Sequence, residues 1–507
     1  MIINHRISVF IFVQFFLFTG IFNAFSQVSE NSNLDRECYM IMVGKDATTD
    51  GSVLIAHNND LTGTEISFCE KIPKQEHTSK DSIRFSNGLA ILNSSFTCEW
   101  MVLHIRSGYK EGDAVAVNEY QVAIGGGVSL KNDRNLKARI ADPLITKGLP
   151  GGVRYIALQQ TKTARQCVEL IGDLYNKYGI AYPSGVSIAD HNEIWYMETG
   201  GGSTWAAIRV PDSCYWVQAN GYRIGYINID DTANVITSPG LLDFCIMKGL
   251  WDPGIEPFNY RKTFGGLVYS SKNPYYNSRR EWRGISVFSP SLNLDPEARD
   301  FPMFLKPDKK INIEQLISIL RDHYQGTEFN GYPDTGKSSG ERMIASSKCV
   351  HSDVIQLRGN MDANIGAIIW VSLSRPFSSP YVPFYFGIKS IPLAYSGIPE
   401  DNRTAFSVFR RLSDLIIGKY NERINLALPQ WEKFEKINFT LQPSVEDRAL
   451  KLLEKDIEDS REFLTNYTKG LCGKVLRQTG EMIMTIMPPL KQEENTGNNV
   501  KTKTRKK

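Results

Sequence analysis

Residues 38–60 read CYMIMVGKDATTDGSVLIAHNND. An apolar run opens at Cys38, a polar stretch closes on Asp50-Gly51, and a second apolar run from Val53 ends in His57-Asn58-Asn59-Asp60. Asp-Gly between two apolar runs predicts a β-hairpin, because glycine takes the positive φ that a tight reversal needs. The first strand therefore begins at a thiol, and the returning strand ends in four polar side chains. Read alone, this is a buried structural cysteine and a polar strand end.

Upstream, residues 1–26 hold Arg6, a mainly apolar stretch from Ile7 to Phe22, and a closing Ala24-Phe25-Ser26. That is the pattern of a secretory signal peptide, and export to the periplasm or the outside is expected. Residues 27–37 are polar and read as a propeptide. No comparably long apolar segment follows, so no stable membrane anchor is expected. Cys38 lacks the small apolar lead-in of a lipoprotein cleavage site.

Downstream, short β-rich runs occur at 101–107, 121–127, 185–190, 193–199, 204–210 and 214–220, with turn residues between them. Helical spacing marks 163–178, 311–324 and 445–467, and 365–374 reads as a buried strand. The pattern is helical from about 401. Residues 491–507 form a polar, basic tail expected to be disordered. Many strands with inserted helices, and helices gathered at the end, predict an α+β fold in one large domain over 38–490.

The 507 residues carry 58 Lys+Arg against 55 Asp+Glu, with 42% hydrophobic and 11% aromatic residues. Balanced charge with this much apolar surface excludes a disordered chain. Five basic residues lie in the last seven, leaving the body near neutral, without the footprint of a nucleic-acid binder. Eight cysteines without a C-x-x-C form no zinc ribbon or redox motif, although an exported chain could pair some, Cys69 with Cys98 for instance. Seven histidines without H-E-x-x-H or another dense spacing predict no metal site.

Residues 331–338, GYPDTGKS, fit the letters of a phosphate loop. A helix-like segment precedes them and no convincing helix follows, so a polar surface loop is the better reading. Gly125-Gly126-Gly127 follows a strand and could let a substrate approach the backbone. Gly200-Gly201-Gly202 reads as a hairpin turn.

The 38–60 hairpin closely resembles the opening of the C69 family of dipeptidases, N-terminal nucleophile (Ntn) hydrolases whose mature chain begins at that cysteine. Asn118-Glu119-Tyr120-Gln121-Val122-Ala123-Ile124 is similar to the family's N-E-x-G-V-A-I strand. Further blocks resemble it in order: 193–198, 205–212, Ala219-Asn220 through Arg223-Ile224, 280–284, 322–327, 374–376 and 382–387. The resemblance implies a four-layer αββα sandwich, an autoprocessed cysteine nucleophile, dipeptide substrates and no cofactor; it leaves homo-oligomerisation open.

The chemistry follows from one residue. A thiol titrates near ~8.5 and an α-amine near ~8. Cutting Glu37–Cys38 places both on Cys38, where the amine can take the thiol proton directly or through one water. Carried over by position, Asp60 would hold the α-amine, and the Asn220 amide would donate to the oxyanion. Arg280, favoured over Arg283, would orient the nucleophile. His57 and Gly126 would meet substrate. His57 stands where the family usually has arginine or another long cation, which puts charge preference and pH optimum in question. Two other readings remain open: an acylase-type hydrolase of linear amides, and a catalytically silent secreted binding protein presenting Tyr275, Tyr276 and Trp282.

Overall fold

The computed structural model describes residues 37–487, apart from 62–64, 79, 86, 108–109, 131–147, 150–152, 182, 266–272, 332–340 and 398–402. The expected signal peptide, all of the expected propeptide but Glu37, the expected disordered tail and most of the phosphate-loop-like run therefore lie outside the described residues.

The hairpin forms as the sequence predicts and becomes the centre of a six-stranded sheet. Its order is β14 (Tyr215–Gln218), β1 (Glu37–Val43), β2 (Val53–Asp60), β16 (Cys349–Leu357), β17 (Ile368–Leu373) and β18 (Val382–Tyr385). Every pairing along it is antiparallel. Between β1 and β2 the chain makes a short 3-10 turn, then reverses at Gly51, whose φ of +75° suits glycine.

A second antiparallel sheet runs β15 (Val235–Thr237), β13 (Thr204–Val210), β12 (Ile194–Gly201), β11 (Ser184–Ala189), β10 (Ala123–Ser129), β9 (Lys110–Asn118), β8 (Trp100–Ser107) and β3 (Ile66–Ile72). Two small ribbons pair β4 (Gln75–Glu76) with β7 (Phe96–Thr97) and β5 (Ser82–Arg84) with β6 (Ala90–Leu92). The large sheets stack face to face, with β10 against β1 and β2. Gly125 allows the approach: a Cβ there would lie 2.3 Å from the Ile55 side chain.

Helices cover both outer faces, completing the αββα sandwich. Helix Ala164–Tyr178, capped by Thr163 accepting from the Gln166 amide, packs on β11, β12 and β13. Helix Ile313–Leu320 packs on β2 and β16, and helix Ser278–Phe288 on β14. Three C-terminal helices, Ala405–Ile417, Tyr420–Leu453 and Ile457–Ile486, close the β17–β18 end.

Four expectations change. The helix expected over 445–467 is broken, because Asp456 caps a new helix by accepting from the Glu458 amide. The helix at 311–324 ends at Leu320, and the strand at 365–374 begins only at Ile368, after one helical turn. Cys69 and Cys98 do not pair. All eight cysteines are free thiols, and that of Cys98 donates to the Leu158 and Gln159 carbonyls instead.

Candidate active site

Register places the polar end of the hairpin. Cys38 pairs with Asn59 and Met40 with His57, so Cys38, His57 and Asn59 share one face of the sheet. On the other side of β2, His57 pairs with Asp353 and Asn59 with His351, which brings those two onto the same face. The Cys38 sulfur lies 3.9 Å from Asn59 Oδ1. Cys38, His57, His351 and Asp353 are all buried.

Around the Cys38 backbone the polar groups form a closed set. Its nitrogen donates to Asn220 Oδ1 at 3.0 Å, and its carbonyl accepts from Arg280 Nη1 at 3.0 Å. Arg280 Nη2 also donates to Asn220 Oδ1 at 3.1 Å and to Asn277 Oδ1 at 2.7 Å. Two donors converging on Asn220 Oδ1 fix the amide's orientation, and its Nδ2 donates to the Ser129 carbonyl at 3.1 Å. Asn220 thus meets Cys38 through its oxygen; to serve an oxyanion its nitrogen would have to act alongside that Ser129 bond. Arg283, the competing arginine, is held by Asp322 through a fork of 2.7–3.0 Å.

Asp60 ends β2 one residue beyond Asn59, and its Oδ2 accepts from Arg342 Nη2 at 2.6 Å. Gly126 has φ +81°, and a Cβ there would lie 2.7 Å from His57 Cε1. The glycine therefore admits the imidazole ring against the backbone.

His57 Nδ1 stands 3.6 Å from Asp353 Oδ1, and His351 Nε2 stands 3.8 Å from the same oxygen. Ser67 Oγ and His351 Nδ1 are 2.6 Å apart. Burial pulls the His57 pKa down, but Asp353 and the Cys38 sulfur outweigh it and raise it to about 10. Burial and the nearby His57 push His351 well below its ordinary value, while burial raises the Asp353 carboxyl against the pull of His57. Asp353 and the Cys38 sulfur thus both draw a proton onto the His57 ring.

The donor atoms of these three residues lie within 4.8 Å of one another. Ligands of a tetrahedral zinc would stand about 3.3 Å apart for bonds of ~2.0–2.1 Å. The observed 3.6 and 3.8 Å are wider, which suits charge pairing better than a preformed cage.

The sequence did not single out Asn59, Asn277, His351 or Asp353. The available signal was His351-x-Asp353 within the run 349–357, since alternation puts both on one face. The aromatic residues that motivated a binding protein are half-buried rather than fully exposed. The Trp282 indole donates to the Leu294 carbonyl and packs edge-on against Phe329, and Tyr275 and Tyr276 are half-buried beside arginines.

Two stacked sheets between helices, with a thiol at the head of the first strand and its backbone held by asparagine and arginine, define the Ntn-hydrolase class. The chain belongs to peptidase family C69, whose model matches residues 37–433. It is 30% identical over 455 residues to a dipeptidase of Bifidobacterium longum, covering 82% of this chain and 84% of that one. It is 29% identical over 372 residues to a probable dipeptidase of Latilactobacillus sakei, covering 72% and 77%. To dipeptidase A of Lactobacillus helveticus it is 26% identical over 479 residues, covering 89% and 98%. Among solved structures it is similar to a mutant of the conjugated bile acid hydrolase from Clostridium perfringens, with 10% identity, a TM-score of 0.29, and coverage of 69% of this chain and 92% of that chain.

Proposed function

We propose that this chain is an exported, cysteine-dependent dipeptidase whose nucleophile is Cys38, made N-terminal by removal of the residues ahead of it. The observation that carries the reading is the grip on Cys38 itself. Its nitrogen and its carbonyl are bound by Asn220 and Arg280, a setting that would fix a freed α-amine beside the thiol. The dipeptidases among its relatives support the substrate class, and the leader sequence supports export.

In turnover the α-amine takes the thiol proton, the sulfur attacks the peptide carbonyl, and the proton passes to the departing amino acid. Water then hydrolyses the thioester. Arg280 and Asn220 hold the nucleophile in place, and Asp60 is assigned to the amine.

N-terminal sequencing of the active protein should give Cys38, and a dipeptide panel should be hydrolysed. Cys38→Ala should lower the rate about 10³-fold or more. Activity in a protein that still starts at Gln27 would sink the proposal. Cleavage of N-acyl amides in preference to dipeptides would favour the acylase reading. Absence of any hydrolysis by protein starting at Cys38 would favour the binding protein.

A further inference from the structure

The self-cleavage that would create the nucleophile lacks the base that later turnover uses. While Glu37 is attached, the Cys38 nitrogen is an amide that donates to Asn220 Oδ1 and has no basic lone pair. The first thiol proton must therefore go elsewhere. Cys38 and His57 are diagonal cross-strand neighbours on one face, a spacing that an imidazole can bridge. Gly126 presses on one edge of the ring, and Asp353 stands 3.6 Å from Nδ1. Neither ring nitrogen of His57 and neither oxygen of Asp353 has a hydrogen-bond partner, although both residues are fully buried. Such groups are seldom left so in a folded protein without a chemical reason. The charged and titratable groups facing His57 are Cys38 from β1 and Asp353 and His351 from β16, and His351 is kept neutral.

We propose that His57, positioned by Asp353, receives and returns the Cys38 thiol proton during cleavage of the Glu37–Cys38 bond, and that the released α-amine takes over this duty in turnover. The inference rests on the N-terminal-nucleophile reading above. In the first step the thiol proton moves to His57, and the sulfur forms a bond to the Glu37 carbonyl carbon. Collapse breaks the carbon–nitrogen bond as His57 gives its proton to that nitrogen, leaving a Glu37–Cys38 thioester and a free α-amine. Water then adds to the thioester. Its hydroxyl ends in the Glu37 carboxyl group and its proton on the sulfur.

The test follows maturation of the full chain by intact mass in a timed cell-free synthesis. Wild type, Cys38→Ala, His57→Gln and the isosteric Asp353→Asn are compared, with thermal melts confirming folding. A parallel set carries a scarless protease site ending at residue 37, so that Cys38 is exposed from outside. The wild type should mature, Cys38→Ala should not, and His57→Gln should mature about 10²-fold more slowly or worse. Asp353→Asn should slow maturation in the same direction and alter its pH profile, which a purely structural role would not do. In the externally cut set, the loss in dipeptide turnover by His57→Gln should be at least about tenfold smaller than its loss in maturation rate. If wild type starts at Cys38 and both folded variants mature at its rate, the inference fails and the nucleophile reading stands. Equal losses in both sets would overturn the division of labour. Active wild type with residues still ahead of Cys38 would overturn the nucleophile reading itself.

Discussion

Arg280 reaches three acceptors from a fully buried position: the Cys38 carbonyl, Asn220 Oδ1 and Asn277 Oδ1. A guanidinium can do this because its donors are spread over a rigid plane, whereas a lysine ammonium is a single point of charge. Arg280→Lys is therefore expected to lower kcat about 10²-fold with little change in KM. It should also destabilise the fold by about 1–3 kcal/mol through the acceptors it strands. Steady-state kinetics and urea melts check both, and a variant with wild-type kcat would remove Arg280 from the nucleophile's support. At this scale the sequence was informative where chemistry is local. The Cys38 hairpin, His57 and the Arg280 block all stand in short motifs. Asp353 was illegible because its meaning comes from a partner on another strand, and nothing in the letters around it names His57.

Among the elements, the long helix Tyr420–Leu453 is tied to the sandwich by two buried forks. Arg321 grips Glu435 at 2.7 Å through both nitrogens, and Arg358 grips Glu446 at 2.7–2.8 Å. Removing one partner of a buried pair leaves the other charged and unsolvated. Glu446→Ala should therefore destabilise the protein by about 3–5 kcal/mol, whereas replacing Arg358 and Glu446 together by Met and Leu should cost far less. Chemical denaturation of the two variants decides this. Equal losses would show that the helix is held by its apolar face alone. Helical periodicity revealed that this region was helical, but not where one helix stopped. The run across 445–467 keeps its apolar spacing through the break, and only Asp456, an ordinary acid in a charged stretch, marks the new start. Pro429 and Pro443 lie inside the long helix, so proline was no guide to its ends either.

Across the whole molecule, stability should depend on pH through two buried groups of opposite sign. Burial pushes the Glu198 carboxyl up to about 8, against the pull of the Arg223 and Ile224 amides that it accepts. The unfolded chain releases that proton near ~4.3, so the Glu198 contribution is fully present below that pH and is lost as pH rises to about 8. Burial pulls the Lys71 ammonium down to about 7 despite Glu99 at 3.5 Å. The unfolded chain holds that proton to ~10.4, so stability recovers as pH rises from about 7 toward that value. Urea melts at about pH 5, 7.5 and 9.5 should show Glu198→Gln losing the decline between the first two. Lys71→Met should lose the gain between the last two, and profiles parallel to wild type would refute the assignments. The α+β class was legible from the order of strands and helices. The sheet order was not, because β1 lies between β14 and β2, and β2 beside β16, through contacts that join distant parts of the chain.

Among the described residues β1 opens at Glu37, opposite Asp60, so within them a single rung of the ladder lies on the far side of the bond before Cys38. Parting the chain there subtracts that rung and leaves the remaining six residues of the strand in register. A foreign passenger ending in glutamate could accordingly be spliced ahead of the cysteine while the sheet stays whole, and its liberation in a growing culture would serve as a visible reporter of the cut.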